Sequence, residues 1–497
     1  MGRPAATPFF CSLVLAGLFL APWPALADDL DPLVRQAKID YVKSLSALAQ
    51  WCDEHGLKDQ AVQTRAWFAP RDPNKLYLPV LSKTPVPATL PAGTAPEVAE
   101  WDNRFHQLKR DQANALYELA RKAIHAQRAS LAYELALLAL AENPDHEALR
   151  RVMGYQKYKG QWCTFYEGRK LREGKVWHAK FGWLPQSHVA RYEQGLRYSG
   201  GKWISAEDDA RLHNRSESGW DVETEHYTIR TNHSVAAGAQ LGVKLEELYH
   251  LWQQVFIRYY ATQAQVSAQF EGRARTPSTD SARHHVVYFR DREDYNHALL
   301  PAFPNIAITT GIYLQRLSRA CFFAGKDQDD RTIYHEATHQ LFQESRPVAP
   351  NVAATANFWV VEGAAMFMES LRKTGGFYEL GGFDDARMRA AQYRLLHDNF
   401  YVPLGEFCGY NSDRLQSDPR IARLYSQAAG LTNFLIFYHD GRYREALVHY
   451  LARIYSGSDD LATLAQLTGA NYSQLDREYR AFMQSVLPPT NGEKPSK

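Results

Sequence analysis

Apolar residues recur at helical spacing from about Asp31 to Trp67 and again from Trp101 to Arg151, which predicts a helical region over 28–151. Between the two runs lies a stretch, 79–96, with Pro79, Pro85, Pro87, Pro91 and Pro96. Proline at that density predicts an extended, exposed linker. In the second run Leu119, Ala120, Ala123, Ala132, Ala139 and Pro144 follow the small-residue positions of one tetratricopeptide unit. A single unit cannot bury its stacking face, so a TPR-like helical pair packed on its neighbours is expected rather than a peptide-binding array.

Periodicity changes over 152–219, where Trp162, Trp183 and Trp203 each sit in a short segment of strand character, 21 and 20 residues apart. This predicts a degenerate repeat of small β-hairpins with a buried ring in each; rings left exposed would instead make a carbohydrate platform. From Trp220 onward strand and helix signals alternate. Val222 to Thr231 alternates like a half-buried strand, Ala236 to Tyr260 has helical spacing, His285 to Phe289 is a short strand, and Ile306 to Phe323 offers two extended runs around Gly311. The fold class expected over 220–485 is α+β.

A length of 497 residues suggests about three domains. With 57 Lys+Arg against 55 Asp+Glu, the net charge of +2 offers no basic stripe for nucleic acid, which is not expected as a partner. Residues 1–27 run from Arg3 through an apolar stretch, Phe9 to Leu20, to Ala25-Leu26-Ala27. That order predicts a signal peptide and an exported, periplasmic or extracellular protein. Cys11 leaves with the signal. Cys52, Cys163, Cys321 and Cys408 remain without a Cys-x-x-Cys pair, so no cysteine-based metal or redox site is expected. No later run is long and apolar enough for a transmembrane anchor. Residues 486–497, with Pro488, Pro489, Asn491 and Gly492, read as a disordered tail.

The candidate chemistry lies in Arg331-Thr-Ile-Tyr-His335-Glu336-Ala-Thr-His339. Residues four apart on a helix share a face, so both imidazoles can reach one zinc ion (Zn2+) while Glu336 turns to the adjacent position. With 18 histidines in the chain, His-Glu-x-x-His should arise by chance only about 0.04 times. A catalytic zinc takes three protein ligands and keeps one position open. Residues 340–349 contain neither the glycine nor the histidine of a metzincin extension, whereas Trp359-Val-Val-Glu362-Gly363, on the following helix-like run, offers a glutamate 23 residues after His339.

With that pair of motifs, 220–485 resembles the gluzincin metallopeptidases, in particular the peptidase MA-like branch of exported bacterial proteins. The resemblance implies a zincin-like catalytic domain behind the helical and Trp-hairpin regions. It implies zinc ligands His335, His339 and Glu362, Glu336 as general base, and Glu369 as an acid that orients a ligand histidine. It further implies an oxyanion-stabilising residue on a downstream helix; Tyr425 occupies that place, with Tyr410 and His439 in reserve. Arg316 to Gly325 is the expected substrate-binding edge strand, and it lacks the Gly-x-Met-Glu-Asn element with which aminopeptidases grip a free N-terminus. The expected activity is therefore hydrolysis within a peptide or protein substrate. Two other functions fit the same residues: a non-catalytic envelope or extracellular binding protein on a zincin scaffold, and a zinc hydrolase of a non-peptide amide or ester.

Overall fold

The computed structural model describes residues 30–85, 90–273 and 282–486. The expected signal peptide with Cys11, Pro87 in the linker, and the tail beyond residue 486 lie outside the described residues. The architecture is mixed helix and sheet, in keeping with the α+β class.

Helices α1 (Leu30–Glu54) and α2 (Lys58–Trp67) precede strand β1 (Lys75–Pro79). The segment expected to be a free linker is tied down at its start. β1 pairs antiparallel with a strand at 377–381, burying Leu76, Leu78 and Pro79, and the Lys83 carbonyl accepts a bond from the Trp162 amide. Proline content did not reveal this, because Pro79 stands at the strand's last position, where its missing N–H breaks no internal pair.

Helices α3 (Pro96–His125) and α4 (Ala129–Glu142) form the expected pair, and short α5 (Glu147–Val152) follows. Alanines 120, 123, 132 and 139 let them approach closely, and the pair shares a core with Ile257, Val266 and Phe270.

Three hairpins come next, each closed by a short helix: β2 (Tyr155–Tyr158) and β3 (Gln161–Thr164) with α6 (Phe165–Arg172), β4 (Lys175–His178) and β5 (Gly182–Pro185) with α7 (Val189–Glu193), and β6 (Leu196–Ser199) and β7 (Lys202–Ser205) with α8 (Ala206–Leu212). Trp162 is buried and its indole N–H donates to Asp145, while Trp183 and Trp203 are half-buried. The rings thus serve packing more than display.

The run expected as one strand from Val222 is a hairpin, β8 (Trp220–Glu223) and β9 (Tyr227–Thr231). The Thr224 side chain accepts the Tyr227 amide and closes the turn, a local bond that alternation of hydrophobicity cannot register. Helix α9 (Val235–Val255) breaks at Phe256 before α10 (Ile257–Tyr260) and α11 (Gln263–Phe270). After β10 (His284–Phe289) and α12 (Arg292–Leu299), both extended runs fall beyond Gly311 rather than around it: β11 (Ile312–Leu314) and β12 (Arg319–Phe323). The five-stranded sheet has the order β11-β12-β10-β9-β8, with β9, β10 and β12 parallel and an antiparallel strand on each edge.

Beyond the sheet lie α13 (Asp330–Glu344), α14 (Phe358–Met368), β13 (Arg372–Thr374), β14 (Phe377–Gly381), α15 (Ala386–Leu396), α16 (Leu404–Phe407), α17 (Ser412–Ser417), α18 (Ile421–Gly441) and α19 (Arg444–Tyr455). Two further helices, α20 (Thr463–Thr468) and α21 (Tyr472–Gln484), complete the described chain. β1 pairs with β14, so Leu76 and Leu78 join the same core as Trp359, Phe367 and Phe437. Among the described residues no helix is long and apolar enough to cross a membrane. The four cysteines at 52, 163, 321 and 408 are buried as free thiols.

Candidate metal centre

Helix α13 begins at Asp329, whose carboxylate accepts the Thr332 amide. Its apolar face, with Ile333, Ala337 and Leu341 four residues apart, is buried against the sheet and α9. That anchoring turns the opposite stripe, His335, Glu336 and His339, into a cleft.

Helix α14 is buried nearly all round, as an interior helix should be. Its N-terminus starts from Asn357 in a left-handed conformation. The Asn357 and Phe358 amides donate to the carbonyls of Cys408 and Tyr410, which satisfies donors that would otherwise be orphaned. Gly363 allows α14 to lie directly on α18: a Cβ there would stand 2.9 Å from the Ala428 carbonyl oxygen and collide with the Thr432 hydroxyl. The glycine after Glu362 therefore sets how close that carboxylate comes to α13.

The two helices bring together one donor atom from each of His335, His339 and Glu362, all within 4.8 Å of one another. The His335 and His339 Nε2 atoms are 3.0 Å apart, and the Glu362 oxygens lie 3.4 Å from His335 Nε2 and 3.7 Å from His339 Nε2. Ligands of a tetrahedral ion with bonds of 2.0–2.2 Å stand about 3.4 Å apart. Two imidazoles and one carboxylate at this spacing can hold a divalent metal ion.

Glu369, just past the end of α14, lies two turns from Glu362, with its Oε1 2.8 Å from His335 Nδ1. Burial alone would push the His335 imidazole down, but the Glu362 and Glu369 carboxylates outweigh it and carry His335 up to about 10. Burial likewise opposes ionisation of Glu369, yet His335 and Arg387 hold it down to about 2. Glu362 is also held well below the usual carboxylate range, against its burial, chiefly by His339 and His335. The cluster demands positive charge at its centre. A divalent cation held between these groups would supply it with the imidazoles neutral.

Glu336 Oε2 accepts the Tyr313 backbone amide at 2.8 Å, which points the carboxylate along the cleft floor beside the two histidines. Tyr425, on α18, faces Glu362 and Glu336; burial first and then these carboxylates push its phenol up, so it stays a hydrogen-bond donor. Neither reserve residue reaches the cleft lining. Tyr410 is buried under α14 with its hydroxyl on Glu406, and His439 stacks on Tyr438 where α18 kinks. The edge strand expected at 316–325 needs correction. β12 is paired on both sides, and the edge beside the metal cluster is β11, Ile312–Leu314. Nearness in sequence to the metal-bearing helix does not reveal the order of strands, and the apolar run of β12 suits an interior strand rather than an edge.

Sequence reasoning missed the support around Glu369. Arg331, one turn before His335, reaches Glu369 at 3.2 Å and Asp385 at 2.9 Å, and Arg387 grips both Glu369 oxygens at 3.0 and 3.1 Å. Only Arg331 carried a local signal, its i,i+4 relation to His335. Two cavities, of about 430 and 350 Å³, share His335, Glu336 and Tyr425; one is also lined by His339, Glu362 and Val352, the other by Thr310, Arg331 and Glu369. No family model and no curated protein matches this chain.

Proposed function

We propose that this protein is an exported zinc-dependent metallopeptidase of the gluzincin type, with a zincin-like domain that cuts within peptide chains. The observation that carries the reading is the convergence of His335, His339 and Glu362 with Glu336 at their side. Zinc held by those three residues would supply Lewis acidity and lower the pKa of a water molecule to about 7.

The chain's own residues then divide the work. Glu336, fixed by the Tyr313 amide, accepts a proton from the water that attacks the scissile carbonyl and returns it to the leaving amine. Tyr425 donates its hydroxyl to the carbonyl oxygen as charge builds there. Glu369 holds the His335 ring in the tautomer that presents Nε2 to the centre. β11 is the edge strand beside Glu336; its Tyr313 N–H holds that carboxylate, and its other outward main-chain groups are offered to an extended peptide. Two cavities that meet at His335, Glu336 and Tyr425 leave room for substrate beyond the reacting groups, which favours an endopeptidase.

The test is the zinc content of the purified chain and its cleavage of casein, beside the Glu336→Gln variant. Zinc in both with cleavage only by the parent is expected. Zinc without cleavage of casein in either would turn attention to other amides and esters, and absence of zinc would defeat the reading.

A further inference from the structure

A second group of ligating side chains lies away from the catalytic cluster, where the β8–β9 turn meets α9. Glu246 and His250 stand four apart on one face of α9, and His226 comes from the turn. One donor atom from each lies within 4.8 Å of the other two. His226 Nδ1 is 2.7 Å from Glu246 Oε2, and His250 Nε2 approaches the same oxygen at 4.0 Å. The first distance is a hydrogen bond; the second is beyond hydrogen-bond reach, so direct bonding does not account for the third member.

We propose that His226, Glu246 and His250 form a second zinc site. The separations of 2.7 and 4.0 Å bracket the roughly 3.4 Å between ligands of a tetrahedral ion, so small side-chain adjustments complete the geometry. The two imidazole rings stand nearly perpendicular, at 87°. The ligands are also held from behind. The His226 backbone amide fixes Glu246 Oε1 at 2.7 Å and leaves Oε2 for the ion, and the Tyr249 ring stacks on His226. Glu246 and His250 line a cavity of about 300 Å³ together with Glu225, whose carboxylate is oriented by the Thr164 hydroxyl at 2.6 Å. Water from that cavity could complete the coordination of an ion held by the three side chains. Because His226 comes from the turn and the other two ligands from the helix, the ion would fasten the β8–β9 turn to α9.

The site is independent of the catalytic reading, and one set of measurements separates them. Full-length protein is equilibrated with zinc, freed of excess metal and assayed for bound zinc. The parent should hold two equivalents, His335→Ala/His339→Ala one, and His226→Ala/His250→Ala one. A His226→Ala/His250→Ala protein that keeps the parent's zinc content overturns the second site. Unchanged content in His335→Ala/His339→Ala would instead strike the catalytic reading. Should the His226→Ala/His250→Ala protein not fold, the His335→Ala/His339→Ala protein decides: EDTA should lower its melting temperature and zinc should restore it. No shift overturns the proposal.

Discussion

Nδ1 of His335 lies 2.8 Å from Oε1 of Glu369, and the same carboxylate is clasped from its other side by Arg331 and Arg387. The imidazole is thus oriented by an acid that cannot swing away, which leaves Nε2 facing Glu362 and His339. Replacing Glu369 with Gln keeps the shape and weakens the acceptor. Zinc affinity should fall by about 10- to 100-fold, measured by chelator competition, with the fold intact by circular dichroism. Unchanged affinity would show that the Glu369 charge has no part in holding the metal.

Glu336→Gln should leave zinc stoichiometry at the parent value and lower kcat by at least about 10²-fold, because an amide cannot accept the proton while its oxygen can still take the Tyr313 N–H. Steady-state cleavage of a fluorogenic peptide checks it.

Tyr425→Phe removes one hydroxyl from the cleft and no volume from the core. A loss of about 10²- to 10³-fold in kcat with little change in KM is expected if the phenol serves the transition state. The same substitution at buried Tyr410, bonded to Glu406, should leave kcat near the parent value.

Gly363→Ala forces a methyl group against the Ala428 carbonyl and the Thr432 hydroxyl. The α14–α18 contact must open, at a cost of about 1–3 kcal/mol. Glu362 moves with the helix, so zinc affinity should fall along with the denaturation midpoint. Adding Thr432→Ala removes one of the two collisions and should recover part of both losses.

Burial, with the nearby Arg258 and Arg453, pushes the His449 imidazole down to about 4 from its ordinary 6.5. The unfolded chain therefore takes up a proton on His449 as pH falls below about 6.5, while the folded chain resists until about 4. Stability contributed by the neutral ring is full above pH 6.5 and lost across that window. Melting temperatures from pH 7 to 4 should fall less steeply in His449→Gln than in the parent.

Much of the centre was legible because it is local. An i,i+4 pair of histidines shares a face in any helix, so His335, Glu336 and His339 needed only Asp329 to start α13 and Ile333, Ala337 and Leu341 to bury its back. Glu362 was legible through the glycine beside it and its distance along the chain. The helical pair at 96–142 and the three hairpins followed from short-range periodicity in the same way.

Contacts between distant segments were not legible. Periodicity indicates which face is apolar but not which strand pairs with it, and only the fold puts β11 rather than β12 at the edge. Strand β1, which ends where the expected linker begins, was not legible because its partner β14 lies some 300 residues away. Arg387 meets Glu369, and His226 meets Glu246 and His250, only because whole elements pack against one another. The sequence by itself determined that His335, Glu336 and His339 share one face of a helix. Tertiary structure alone decided the third side of each cluster, because bringing charged groups from separate elements together depends on packing that the chain encodes collectively.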